Sequence, residues 1–412
     1  MKSRVSRATI AVAAALVLLA AAVPAHAEWN KGLEAYKKKD WASAVKEFEE
    51  VTKTNPDYAG AYYMLGVSQR ALGQLSPAVA SLRKAVELDG SQASYKIALG
   101  QALLQANQYQ NAYELLKPLS MSSMDASHRS SYALLFAQAA TKTNRPGEAI
   151  SVLTTQARVD SKNYRLQQAL GSAYTDNGDE AKAFEAFKKA FELNPKDTAS
   201  ARNAVRAAIS VARRSNSNQS KSNYYTQAGQ IADRLASSSP TFEHQLLAGE
   251  AWLGAKQYQK ALTLFNKAKA AKPNNALAGF YAAQSLTSMR RLDEAMKELQ
   301  ASLRNGAGDD AKLRTAVYNQ MGYVYDEKKQ YGRAAVAYGD AGNSRKVTEM
   351  KEKESRAAQN LAADRECADF KRKIDALRLQ VEELEKLGDI ENAKLLQEQL
   401  PGLEKQYTET CG

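Results

Sequence analysis

Arg202, Arg206 and Arg213 stand four and then seven residues apart in the run TASARNAVRAAISVARR. On a helix that spacing puts three guanidinium groups on one stripe. With Arg214 and Lys221 it makes a positive spot suited to a carboxylate, a phosphate or an acidic helix, because the guanidinium fork binds oxyanions in bidentate fashion. A solvated basic face has the same sequence appearance, so the stripe stands as a candidate anion site near Arg202 and Arg206. Other chemistry is thin. His128 and His244 have no cysteine or histidine neighbour at metal-ligand spacing. Glu49 and Glu50 sit among lysines as a solvated pair. There is no glycine-rich phosphate loop, zinc-protease helix or nucleophile elbow. The residues propose no nucleophile, base, metal or cofactor, and a non-enzymatic role is expected.

The chain opens MKSRVSRATIAVAAALVLLAAAVPAHA, in which Lys2, Arg4 and Arg7 precede an apolar run from Ala8 to Val23 and the small-residue triplet Ala25-His26-Ala27. That order is a secretory signal peptide over residues 1–27, too short in its apolar part to span a bilayer as a helix. Cleavage after Ala27 removes three positive residues from a chain of net charge +12. The remaining excess is concentrated in residues 197–343, which carry 20 basic and 12 acidic side chains, so an anionic partner is hinted at without being named. Cys367 and Cys411 are the two cysteines. In an oxidising compartment they are expected to be bonded to each other.

The elements that must carry these residues follow from an internal repeat. Alanines recur at Ala44, Ala78, Ala112, Ala149, Ala183, Ala228, Ala261, Ala295 and Ala334, most often 34 residues apart. A second column runs Gly32, Gly66, Gly100, Ala137, Gly171, Gly249, Ala283 and Gly322, and a third places Trp41, Leu75, Tyr109, Tyr258, Leu292 and Tyr331 three residues before the alanine. Asn55-Pro56, Asn194-Pro195, Ser239-Pro240 and Lys272-Pro273 mark helix ends. Nine units are read, with residues 28–196 as units 1–5, 197–240 as an irregular sixth unit with the polar insert SNSNQSKS (Ser215 to Ser222), and 241–343 as units 7–9. The fourth unit is read with a Pro146-Gly147 turn.

The register of Tyr62, Leu65, Gly66, Ala78, Leu82 and Ala85, and of Leu170, Gly171, Tyr174, Ala183, Phe187, Ala190 and Pro195, resembles the tetratricopeptide repeat, a helix-turn-helix unit of 34 residues. The resemblance implies an all-α fold, a right-handed superhelical solenoid. Gly171 and Ala183 remove volume where the two helices of a unit cross, and Asn177-Gly178-Asp179 supplies the turn with Asp179 as cap. No unit buries its apolar face alone, so neighbours must stack.

The resemblance also implies that the free face of each first helix lines a groove for extended peptides or partner proteins. By register, that face is Arg165, Gln168, Ser172, Thr175 and Asp176 in the fifth unit. In other units it includes Tyr63 and Arg70, Gln101 and Gln105, and Leu134, Gln138 and Lys142; Arg202 and Arg206 join it in the sixth. The groove reading names Tyr63, Arg70, Gln101, Gln105, Lys142, Arg165, Gln168, Arg202 and Arg206.

Residues 344–412 differ in kind. Cys367, Phe370, Ile374, Leu377, Val381 and Leu384 form a seam of alternating three- and four-residue steps, Gly388-Asp389 breaks it, and Ala393, Leu396, Leu400, Leu403 and Tyr407 continue it. An antiparallel coiled-coil hairpin would bring Cys367 and Cys411 together at its open end. Pro401-Gly402 should interrupt the returning arm. A self-association stalk, and a cap on the last repeat through Val347 and Met350, are the competing readings.

The functional expectation is an exported, periplasmic adaptor that holds a protein or peptide partner in its groove and organises a cell-envelope complex, with no nucleic acid bound. The alternative is a binder of envelope carbohydrate or anionic polymer through Tyr63, Tyr323 and the arginines.

Overall fold

The computed structural model describes residues 27–411, which leaves the signal-peptide reading of residues 1–27 outside it except for Ala27. Among the described residues every regular element is helical. The chain divides into two compact units, one ending at Pro240 and the other running from Thr241.

The first unit holds six helix pairs. They are α1 (27–37) with α2 (Trp41–Thr54), α3 (Ala59–Ala71) with α4 (Leu75–Leu88), α5 (Ala93–Gln105) with α6 (Tyr109–Leu116), α7 (Ala126–Lys142) with α8 (Pro146–Val159), α9 (Tyr164–Asp176) with α10 (Glu180–Leu193), and α11 (Thr198–Arg214) with α12 (Asn218–Ser238). The second unit holds α13 (Phe242–Gly254) with α14 (Tyr258–Ala271), α15 (Ala276–Ser288) with α16 (Leu292–Ser302), and α17 (Ala311–Glu327) with α18 (Tyr331–Asp340). These are followed by α19 (Ser344–Lys386), α20 (Ile390–Gln397) and α21 (Leu400–Cys411).

The alanine column is the buried spine of each pair. Ala44, Ala78, Ala112, Ala149, Ala183, Ala228, Ala261, Ala295 and Ala334 are all 0% exposed. Four residues after each alanine stands the side chain that fills the helix crossing. A Cβ built on Gly32, Gly171, Gly249 or Gly322 would lie 2.7, 2.7, 2.4 or 2.8 Å from ring carbons of Phe48, Phe187, Phe265 and Tyr338. The two alanines of the glycine column, Ala137 and Ala283, stand in units whose residue at that place is a leucine, Leu153 and Leu299, both wholly buried. The four rings each face a glycine, whereas the leucines face an alanine in two pairs and a glycine in two others, Gly66 with Leu82 (2.5 Å to an added Cβ) and Gly100 with Leu116 (3.0 Å), so a ring excludes the methyl group and a leucine admits it only in some pairs. In the sixth pair the volumes trade places, with Val205 on α11 and Ala232 on α12, both 0% exposed.

In eight of the nine pairs, all but the sixth, the turn between paired helices has one residue in the left-handed region. It is Lys39, Asn107, Asn144, Lys256, Arg290 or Lys329, with φ between 58° and 62°, or Gly73 or Gly178. Asp179 caps α10 by accepting a hydrogen bond from the Lys182 amide at 3.2 Å. One expectation about turns needs correction. Pro146 and Gly147 are not the turn of the fourth pair; they open α8, where proline's missing N–H is harmless, and Asn144 (φ 61°) makes the turn. The polar insert of the sixth pair is mostly helical. Only residues 215–217 lie outside helix; Ser217 caps α12 through the Ser220 amide. Compared with the 13 and 14 residues of α9 and α10, α11 has 17 and α12 has 21. The extra residues lengthen both helices into a spur.

In the second unit α19 is one continuous helix of 43 residues with three tasks. Its first turns seal the last repeat: Met350 is 0% exposed in a cluster with Ala334, Ala335 and Tyr338, Val347 packs against it, and the Lys353 ammonium donates to both Asp326 carboxylate oxygens at 2.9 and 3.0 Å. Residues 354–366 are exposed throughout, an Ala-rich stretch held by its own helix propensity. The last part pairs with α20 and α21, burying Ile374, Val381 and Ala393. Gly388 (φ 79°) reverses the chain, and Asp389 caps α20. The Cys367–Cys411 disulfide clamps the open end, with Cα atoms 5.6 Å apart. Pro401 falls in the first turn of α21, so the returning arm breaks between Gln397 and Leu400 instead of kinking within a helix. The cap and the hairpin, read as alternatives in the sequence, are both present.

Candidate functional site

Two adjoining cavities open on the first-helix face of the fourth to sixth pairs. One, of about 390 Å³, lies among α7, α9 and α11 and is lined by Leu134, Ala137, Gln138, Thr141, Arg165, Gln168, Ala169, Ser172 and Asn203. The other, of about 440 Å³, involves α9, α10 and α11 and takes in Ser172, Thr175, Asp176, Glu180, Phe187, Asn203, Arg206, Ala207 and Ser210. Ser172 and Asn203 belong to both, so the two form a single trough.

The trough exists because the inward-facing residues there are short. Helix register puts Ser172 and Thr175 where the second pair carries Val67 and Arg70, and Gly171 lets α9 close on Phe187 of α10 behind them. The Thr141 and Thr175 hydroxyls donate to helix carbonyls of Ala137 and Gly171. Gln168 is also engaged: its amide nitrogen donates to the Asp197 carboxylate at 2.8 Å and to the Ser200 hydroxyl at 3.3 Å, which ties α9 to α11. Gln138 and Asn203 have no such partner among the described residues, and each offers both a donor and an acceptor, the complement a main-chain amide needs.

The residues named from sequence distribute unevenly. Arg165 and Gln168 line the smaller cavity and Arg206 the larger. Arg202 is half-buried and lines neither, so the two arginines are not brought to one spot. Arg206 shares its wall with Asp176 and Glu180, which makes the place mixed in charge where the arginine spacing alone predicts a positive one. Lys142 is exposed on α7 with its ammonium 5.9 Å from the Tyr109 ring centre. Gln101 and Gln105 lie on α5 outside both cavities. On α3, Tyr63 is stacked on Tyr95 with ring centres 4.8 Å apart, which occupies one of its faces, and burial pushes the Tyr63 hydroxyl pKa up and the Arg70 guanidinium pKa down. Tyr323 lies in the second unit, half exposed.

Asn203, Glu180 and Ser210 were not legible as groove residues. Asn203 had a partial signal: at the same place the second to fifth pairs carry Met64, Ala98, Leu135 and Ala169, although the first carries Asn30.

Among the described residues no helix is long and apolar enough to cross a membrane, and no group of three histidine, cysteine, aspartate or glutamate side chains is placed to hold a metal. His128 lies beside Asp125 at 3.9 Å, and His244 is buried on α13.

Two family profiles described as tetratricopeptide repeat match the chain, one at residues 29–93 and 221–276 and the other at 164–197. Superkiller protein 3 of Schizosaccharomyces pombe is 27% identical over 180 residues, which is 41% of this chain; the chain spans 12% of that relative's length. Among solved structures, the C-terminal part of a repeat-containing protein from Cytophaga hutchinsonii aligns at 16% identity and TM-score 0.49, over 60% of this chain and 97% of that one. A tetratricopeptide repeat protein from Parabacteroides merdae aligns at 14% identity and TM-score 0.43, over 64% and 99%. MamA protein aligns at 22% identity and TM-score 0.38, over 43% and 94%. With its alanine and glycine columns buried at the helix crossings and family profiles matching at three places, the chain carries tetratricopeptide repeats.

Proposed function

We propose that the protein is an exported, non-catalytic scaffold that holds an extended segment of a partner protein in the trough of α7, α9 and α11, in the assembly of a cell-envelope complex. The observation that carries this reading is the pair of cavities joined at Ser172 and Asn203, with unengaged amides along their walls. A wall of that composition recognises main chain more than any one side chain. Export is supported by the N-terminal pattern of residues 1–27 and by the disulfide, a bond that persists in oxidising compartments. The hairpin at the end of the chain offers a second surface, since Leu379, Leu387, Ile390 and Leu395 are exposed on it.

The test is a photoreactive amino acid placed at Ser172, at Asn203 or at the outward-facing Lys189, with crosslinking in intact cells. The first two positions should capture the same protein through one contiguous peptide, and Lys189 should not. Capture from Lys189 alone, or none from the trough, overturns the reading. The N-terminus of the mature chain, read on the same preparation, should be Glu28.

A further inference from the structure

The larger cavity carries three formal charges, Asp176, Glu180 and Arg206, and none of them joins an ion pair with another described residue. The neighbouring lysines are already engaged. Lys182 pairs with Asp179 at 2.8 Å, and Lys188 lies 3.9 Å from Glu185. Asp176 and Glu180 therefore line the same space with no ion-pair partner, where an entering positive group would be attracted. The base beneath them is apolar, with Phe187 and Ala207, which suits the aliphatic stem of a lysine or arginine whose charged end reaches the carboxylates. Arg206, on the opposite helix, is the one guanidinium in the cavity, and it is free to take a carboxylate in bidentate fashion.

We infer that the segment received here carries a basic side chain close in sequence to an acidic one, the basic group held by Asp176 and Glu180 and the acidic group by Arg206. This rests on the groove reading above and names the chemistry of its ligand. The charge of the whole chain points the same way. The cleaved chain, at +9 after the loss of three positive residues from +12, draws acidic segments by its long-range field, while the local carboxylates select a cation, and a segment of mixed charge satisfies both.

The probe is a set of nine blocked nonapeptides, Gly-Ser-Ala-X-Ala-Z-Ala-Ser-Gly, in which X and Z are each Lys, Glu or Gln. They are passed together over the immobilised full-length chain and the retained peptides are quantified by mass spectrometry. Peptides with one Lys and one Glu should be retained about fivefold over the Gln/Gln peptide, the scale of a charge pair contributing about 1 kcal/mol. Asp176→Asn with Glu180→Gln should abolish the preference for Lys and keep that for Glu, and Arg206→Gln should do the reverse, with unchanged thermal unfolding. Equal retention of all nine peptides, or best retention of Glu/Glu, overturns the charge assignment and leaves the groove reading standing. Retention no greater than by Asn203→Trp, which fills the trough, overturns both.

Discussion

A Cβ added to Gly171 would lie 2.7 Å from Cδ1 of Phe187, inside any normal carbon contact. The ring is wedged between α9 and α10 and cannot step aside without moving a helix. Gly171→Ala should therefore destabilise the first unit by about 1–3 kcal/mol from overpacking, more than the ~0.5–1 kcal/mol that alanine gains over glycine in a helix. Gly100→Ala, whose Cβ would meet Leu116 at 3.0 Å, should be close to neutral. Adding Phe187→Leu to Gly171→Ala reproduces the pairing of Ala137 with Leu153 and should recover part of the loss. Urea midpoints followed by circular dichroism decide it, and equal stability of the two single variants would remove the distinction between ring and leucine.

At the same turn position as Gly178 stands Lys256, with φ 60°. A left-handed backbone costs a side-chain-bearing residue about 1 kcal/mol. Lys256→Gly should raise stability by roughly 0.5 kcal/mol once glycine's greater unfolded-state freedom is subtracted. Gly178→Ala should lower it by a similar amount although nothing lies within 4 Å of the added carbon. If both changes leave the thermal midpoint where it was, turn strain is not a component of stability here.

Tyr132 is 3% exposed, its hydroxyl donates to the Leu116 and Leu119 carbonyls, and burial pushes its pKa up to about 12. In the unfolded chain the phenol ionises near pH 10, so between pH 10 and 12 the unfolded state binds fewer protons than the folded one. Stability falls over that window by up to about 2–3 kcal/mol and is unaffected below it. Tyr132→Phe should cost about 1 kcal/mol at neutral pH and show a shallower alkaline loss than wild type. Parallel pH profiles for the two proteins would dismiss Tyr132 as the source.

Reduction of Cys367–Cys411 removes a cross-link spanning 44 residues from a hairpin whose buried side chains are few. The hairpin should lose on the order of 2–4 kcal/mol. Amide exchange in residues 370–411 should accelerate on reduction, or in Cys367→Ala with Cys411→Ala, while α13 to α16 keep their protection. Uniform acceleration across the second unit would show that the hairpin and the repeats unfold together.

The repeat was legible because its determinants are local in spacing: a small residue at Ala183, a void at Gly171 and a ring at Phe187 are fixed by helix geometry and recur in register. The disulfide and the seam around Gly388 were readable for the same reason. The trough was legible only by face. Register placed Arg165, Ser172, Asp176 and Arg206 on the inner wall, but whether space remains there depends on the sizes of residues from several helices, which no single column records. In the sixth pair composition marked SNSNQSKS only as a polar insert; the fold shows that Ser217 serves as a cap and the residues after it continue α12.

Because α19 runs unbroken from the buried Met350 to the cross-linked Cys367, the azimuth of the hairpin about that axis is fixed by the count of residues between them. One residue inserted in 355–365 would swing the hairpin through about 100° while advancing it only ~1.5 Å, and four would return it nearly to its starting heading at about 6 Å further out. The strut thus behaves like a threaded shaft, and any ligand spanning the last repeat and the hairpin would be sensitive to phase before it was sensitive to reach.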